Sequence, residues 1–444
     1  MTSLFDRTFE RFRRAWRRRD EPPGELPPGV TADLESTDEV RRLIDASLRH
    51  TSAVAARATA AEVGEIYLQL DGIGRRRFLI LLADDFRVED DIVDGAIAEY
   101  GSADSDEQKE QARFRLQDAL RPPSIDLLTL FNGLEQGTKF VVDLRADLLR
   151  IPERSASLEE LDHHLARLLR GWFDIGFLEM RPIDWNTPAA ILEKLIEYEA
   201  VHEIAGWVDL RNRLSEDRRM FGFFHPQMPD EPLIFVEVAL VAGMASYLPV
   251  LLDPDAPLID PLDADTAIFY SISNCQAGLR GISLGDFLIK RVVAHLSERL
   301  PHLKRFATLS PVSGFRAWLD AHAAVSSNPE LERLRPLLRN PEAYASADSI
   351  EPFRDDLLKW CARYLLVATR RDGRVEDRVE HFHLSNGARL ERINWLANPT
   401  PIGIDRSFGV MVNYRYDLDH ISANHEAYAE RRTVVHSREI ADLR

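Results

Sequence analysis

A glycine-rich turn and a few hydroxyl- and imidazole-bearing positions carry the chemistry legible in this chain. The stretch AIFYSISNCQAGLRGISLGDFLIKR, Ala267 to Arg291, runs from an apolar strand through Gly278, Gly281 and Gly285 into an amphipathic helix. Such a turn leaves backbone N–H groups bare at the positive end of a helix dipole, which cradles phosphate. Downstream, TLSPVSGF offers Ser310 at the end of a strand, and EHFHLSNGA offers His383. Together they supply a hydroxyl and an imidazole that can work on whatever the phosphates carry. Tyr416, in NYRY, is either a core aromatic with a tethered hydroxyl or a member of a site.

Other patterns compete for the same residues. Gly281-Ile282-Ser283-Leu284-Gly285 matches the G-x-S-x-G nucleophile elbow, but no HGGG-type oxyanion loop precedes it. A phosphate loop uses the same glycines without needing that missing part, and is preferred. Asp90-Asp91-Ile92-Val93-Asp94 matches DDxxD, a spacing that holds Mg²⁺–diphosphate when a second acidic motif faces it. None is found, so a solvated acidic helix face is expected. His381 and His383 alternate along an expected strand, both pointing one way with Phe382 opposite. Nothing nearby completes a metal set, so a single histidine acting as acid or base is the better expectation. Asn386-Gly387 reads as a hairpin turn.

These residues need elements to hold them. From Thr31 to about Leu169 apolar residues recur at spacings of three and four, with breaks at Gly72, Gly101 and Pro122–Pro123. That half reads as all-α. After Gly171 the texture changes. FGFFHPQMPDEPLIFVEVALV predicts two strands interrupted at Pro229, Asp230 and Pro232; AIFYSISN and FATLSP predict strands. SLGDFLIKRVVAHLSERL, SGFRAWLDAH and PFRDDLLKWCARYLLVAT predict helices, and VEHFHLSNGARLERINWLA and FGVMVNYRY late β structure. The expected organisation is multidomain α + α/β, with an all-α domain over 1–170 and a mixed α/β domain over 171–444.

Bulk properties set the limits. The chain's 444 residues call for two or three domains. With 45% hydrophobic and 29% charged residues, it has the composition of a globular protein. A net charge of -17 argues against a general nucleic-acid surface and against docking on anionic lipid, while leaving room for a local basic pocket for a polyanionic small molecule. Two cysteines, Cys275 and Cys361, rule out a disulfide framework, suit a reducing compartment and read as small buried hydrophobes. The arginine-rich N-terminus holds Asp6 and Glu10, unlike a mitochondrial presequence, and reads as a basic helix before a proline-rich linker. LIFVEVALVAGMASYLPVLL, Leu233 to Leu252, contains Glu237 and Pro249 and reads as a buried strand rather than a membrane span. Cytoplasmic placement is expected, and the arginine-over-lysine, alanine-rich composition points to a GC-rich bacterial genome.

With these residues in view, the chain resembles the malonyl-CoA decarboxylases. The resemblance runs from Gly171 to Tyr416 in ordered blocks: EAVH…GWVDLRNRL (Glu199 to Leu214), FYSIS…QAGLRGISLGDFLIKRVV, LSPVSGF, CARYLL, FHLSNGA, RINWLA and FGVMVNYRY. It implies a GNAT-like fold for the second domain and a helical oligomerisation domain before it, hence a homo-oligomer. It also implies that the glycine loop, Gln276, Gly278, Arg280, Gly281, Ile282, Ser283, Leu284, Gly285 and Asp286, binds the CoA moiety. The family's catalytic serine, histidine and tyrosine fall on Ser310, His383 and Tyr416. Some relatives carry glutamate where this chain has Ser283. The implied reaction converts malonyl-CoA to acetyl-CoA and CO₂ through a thioester enolate, with no cofactor beyond the substrate's own CoA and no metal. Two other functions use the same features: acyl transfer from CoA on the same scaffold, and non-catalytic CoA sensing.

Overall fold

A computed structural model describes Phe12, Trp16, residues 26–282, Leu284, and residues 288–325, 328–340 and 346–443. It divides into two compact units. The first comprises residues 1–178 together with 225–229 and 276–282; the second comprises 179–224, 230–275 and 283–444.

The first unit is helical, as its periodicity predicts. Its helices are α1 (Asp38–Arg49), α2 (Ala53–Gln69), α3 (Gly72–Asp85), α4 (Asp90–Ser102), α5 (Asp106–Ala119), α6 (Pro123–Phe131), α7 (Gly137–Arg150) and α8 (Ala156–Trp172). Local chemistry sets the helix starts. Asp71 accepts from the Ile73 and Gly74 amides, Ser105 from Gln108 and Ser155 from Leu158, each satisfying donors that a first turn leaves free. The core is aromatic. Phe140 packs edge-on against Phe12 and Tyr67, with ring centroids 5.6 and 5.5 Å away, and lies 4.6 Å from Phe131. Full burial of such a ring contributes roughly 1.5–3 kcal/mol over leaving it in water. Asp90, Asp91 and Asp94 lie exposed on α4, the solvated face expected of them, and no group of three or more His, Cys, Asp or Glu among the described residues is placed to hold a metal ion.

The second unit is mixed α/β. Its elements are β1 (Glu179–Ile183), α9 (Ala189–Tyr198), α10 (Trp207–Arg213), β2 (Arg218–His225), β3 (Met228–Val241), β4 (Thr266–Asn274), α11 (Leu288–Arg299), β5 (Arg305–Thr308), β6 (Ser310–Pro311), α12 (Phe315–Val325), α13 (Arg354–Val367), α14 (Arg378–Ser385), β7 (Arg389–Asn394), β8 (Met411–Tyr416) and α15 (Ile421–Arg431), with further short helices. The strands form one eight-stranded sheet in the order β1-β2-β3-β4-β5-β8-β6, with β7 also on β8. β4 and β5 run parallel, whereas β5, β6 and β7 all meet β8 antiparallel. β3 is buried from Glu231 to Leu240, so the long apolar stretch is a core strand. No helix among the described residues is long and apolar enough to cross a membrane.

Two expectations are corrected. The β2–β3 turn falls at Pro226–Gln227, and Pro229, Asp230 and Pro232 sit inside β3. These prolines precede Ile234, where pairing with β4 begins, so their missing N–H groups cost that ladder no bond. EHFHLS is helical rather than extended. Asp377 caps α14 by accepting from the Val379 and Glu380 amides, which starts a helix that short apolar alternation alone mimics as a strand.

Candidate active site

β5 and β6 lie either side of Leu309, whose amide bonds Phe269 O at 3.0 Å. Thr308 and Ser310 are two residues apart along extended chain and so project to one side. Ser310 Oγ donates to Thr308 Oγ1 at 2.9 Å, and Thr308 Oγ1 also accepts from the Tyr414 amide at 3.1 Å. His383 of α14 places Nε2 3.0 Å from Ser310 Oγ, and its Nδ1 lies 2.8 Å from the hydroxyl of Tyr416 at the end of β8. The three residues assigned from sequence to catalysis therefore meet.

Their protons can be ordered. A hydroxyl has one hydrogen, and that of Ser310 points to Thr308. Nε2 must then carry the hydrogen it shares with Ser310, leaving Nδ1 bare to accept from Tyr416. The chain of donors runs Tyr416, His383, Ser310, Thr308. Burial pushes the imidazole down to about 3, so it is neutral at physiological pH. Burial likewise raises the Tyr416 phenol, which keeps its O–H. The Tyr414 ring stacks on the imidazole at 4.7 Å and 24°, fixing its plane.

In a helix, positions two apart diverge by about 200°, so His381 and His383 point opposite ways, not together as a strand would set them. His381 Nδ1 bonds the Tyr428 hydroxyl at 2.8 Å. Arg378, Val379, Phe382 and His383 share the other face and line a cavity of about 220 Å³ with Ser310, Pro311, Val201, Phe269, Tyr270, Ile272 and Asn274. The wall is mainly apolar. Behind it, Glu199 of the EAVH block accepts from Ser271 and Ser273 of β4 at 2.7 and 2.9 Å and from the Val201 and His202 amides, which fixes Val201 in place.

Sequence reasoning missed Thr308 and Arg378. The alternation of Thr308 with Ser310 was a usable signal. The place of Arg378 on the cavity face depended on recognising α14 as a helix.

Of the glycine loop, Gln276 to Ile282 belong to the helical unit. Gln276, Gly278 and Ile282 are buried, Arg280 and Gly281 exposed. Arg145 of α7 donates to Gly278 O at 2.6 Å and to Arg280 O at 3.0 Å. A Cβ at Gly278 would collide with the Val142 carbonyl, so this glycine answers to helix packing. The amides of Leu279, Arg280 and Ile282 bond Gln276, Ala277 and Leu279 carbonyls, so they are not the bare donors expected of a phosphate cradle. Leu284 is buried; Ser283, Gly285 and Asp286 lie outside the described residues.

A buried hydroxyl–imidazole–phenol chain opening on a small apolar cavity, in an α/β unit that follows a helical region, has the groups to donate hydrogen bonds and pass a proton, chemistry that suits an enzyme. Comparisons narrow the class. Residues 176–443 match the family described as Malonyl-CoA decarboxylase C-terminal domain, and 86–173 match Malonyl-CoA decarboxylase N-terminal domain. The chain is 32% identical to the mitochondrial malonyl-CoA decarboxylase of Rattus norvegicus, covering 95% of this chain and 94% of that one. Solved malonyl-CoA decarboxylases from Rhodopseudomonas palustris (39% identity, TM-score 0.86, 92% and 99% coverage) and Agrobacterium vitis (41%, 0.84, 91% and 99%) are similar throughout. The chain belongs to the malonyl-CoA decarboxylase family.

Proposed function

We infer that this enzyme converts malonyl-CoA to acetyl-CoA and CO₂, and that Ser310, His383 and Tyr416 carry the reaction. The observation bearing most weight is the ordered donor chain ending at the cavity wall. The malonyl carboxylate leaves as CO₂ when the electron pair of its C–C bond is taken up by the thioester carbonyl as an enolate. The substrate is thus its own electron sink, and this reading uses no prosthetic group or metal. On binding, the Ser310 hydroxyl turns from Thr308 to donate to the malonyl group, and the Nε2–H of His383 turns from Ser310 Oγ to polarise the thioester oxygen where negative charge develops. A neutral imidazole suits that task, since it donates without first having to be charged. The enolate carbon is a stronger base than an imidazole anion, so Nε2–H can then be delivered to C2. Tyr416 orients the ring and presents O–H to Nδ1 as that proton leaves.

The same reading takes the second unit as GNAT-like, supported by the parallel β4–β5 pair with α11 between them in sequence. The glycine loop would hold the CoA moiety, with exposed Arg280 available to phosphate. Self-association through the helical unit is supported by Ile92 and Ile97 on α4 and Phe114 on α5, all more than half exposed. Composition favours the cytoplasm, although the rat relative is named mitochondrial.

The deciding experiment mixes purified protein with malonyl-CoA alone and follows products by mass spectrometry. CO₂ and acetyl-CoA without any acceptor are expected. A requirement for an amine acceptor would indicate acyl transfer, free CoA a hydrolase, and binding without turnover a sensor.

A further inference from the structure

We propose that Arg378 is the specificity-determining residue for the acyl terminus, its guanidinium pairing with the free carboxylate of the malonyl group beside Ser310 and His383. This deepens, and rests on, the malonyl-CoA reading above.

Arg378 is the first residue of α14 and lies on the helix face that carries His383 into the cavity. The other residues lining the cavity are apolar, hydroxyl or amide side chains and the imidazole of His383, so Arg378 contributes the only formal charge among them. Among the described residues it has no ion-pair partner. Asp377, adjacent in sequence, caps the same helix and makes no ion pair with Arg378: its carboxyl accepts from the Val379, Glu380 and Gly314 amides and the Tyr364 hydroxyl.

The substrate brings such an anion. Malonyl and acetyl thioesters differ at this end by one carboxylate, and a guanidinium fork matches a carboxylate in two parallel hydrogen bonds. Arg378 thereby distinguishes substrate from product: it holds the group that is about to leave and has nothing to hold once CO₂ has gone. The contact is made in the ground state and weakens as charge passes to the thioester oxygen. It therefore belongs in KM and not in kcat.

The test compares wild type with Arg378→Gln and Arg378→Lys by steady-state kinetics on malonyl-CoA and by product inhibition with acetyl-CoA, with thermal melts to verify folding. The expected result for Arg378→Gln is a KM for malonyl-CoA raised about tenfold or more, with kcat unchanged or higher and the acetyl-CoA inhibition constant unaltered. Arg378→Lys should recover part of the loss. Equal weakening of both ligands would make Arg378 a contact for the CoA phosphates and overturn the proposal. So would a fall in kcat at constant KM, or no change. A wild-type protein that releases no CO₂ would instead sink the functional reading, whereas CO₂ release with an indifferent Arg378→Gln sinks this inference alone.

Discussion

Glu380 and His383 stand three residues apart on α14, both buried, and burial shifts the two in opposite directions, the carboxyl upward and the imidazole downward. Burial first, and then the nearby Asp377, hold the Glu380 carboxyl well above its ordinary 4.5, and neither of its oxygens has a hydrogen-bond partner. Burial alone takes His383 from 6.5 down to about 3.

The two groups give stability opposite pH slopes. The native state keeps a Glu380 proton that the unfolded chain releases above 4.5, so this contribution erodes as pH rises past that value. For His383 the unfolded chain takes up a proton below 6.5 that the native state refuses, so stability is lost as pH falls from 6.5 towards 3. Glu380→Gln should therefore gain on wild type progressively as pH rises from 5 to 8 in urea unfolding. A difference that does not vary with pH would show that the native carboxyl is ionised.

Ser310→Ala and His383→Ala should each lower kcat for CO₂ release by about a hundredfold or more while CoA still binds. Radiometric CO₂ capture and calorimetric titration with CoA read the two properties separately. Wild-type turnover in both variants would remove these residues from the mechanism.

Tyr416→Phe keeps the buried ring and deletes the hydrogen given to Nδ1. A kcat reduced about tenfold or more is expected, with the imidazole no longer confined to the Nε2–H tautomer. Nitrogen chemical shifts of His383 by NMR report that tautomer directly. An unchanged tautomer together with unchanged kcat would make Tyr416 packing alone.

The loop glycines should separate by cause. Gly278→Ala forces a methyl into the Val142 carbonyl and should cost roughly 1–3 kcal/mol. Gly281 has open space but a φ of +81°, so Gly281→Ala should cost only about 1 kcal/mol, through backbone strain. Thermal denaturation of the two variants gives the ranking, and a Gly281→Ala that destabilises more than Gly278→Ala would reverse this assignment.

Much of the architecture was legible because it rests on periodicity. The three- and four-residue spacing marks α1, α3, α4 and α8 and runs α6 and α7 together as one stretch, while α2 and α5 carry no such distinct stripe; apolar, β-branched runs mark β3 and β4. The FHLSNGA block was misread because HFHL satisfies both periods over so short a span, and what decides it is Asp377, whose carboxyl caps the helix. Ser310, His383 and Tyr416 are candidates from residue type and placement, but their joint catalytic role came through family resemblance, since they lie on β6, α14 and β8 and are joined only by the fold. Gly278 shows the reverse: a glycine expected to approach a ligand is small because a helix carbonyl occupies the space.

The carbonyls that Arg145 holds lie 133 and 135 positions further along the chain. During synthesis, then, α7 leaves the ribosome long before the acceptors of its guanidinium exist, and the helical unit reaches its final hydrogen-bonded state only after residue 282 has emerged. A fragment ending at residue 178 would carry this arginine with its aspartate partner, Asp162, but without the two carbonyls that complete its bonding.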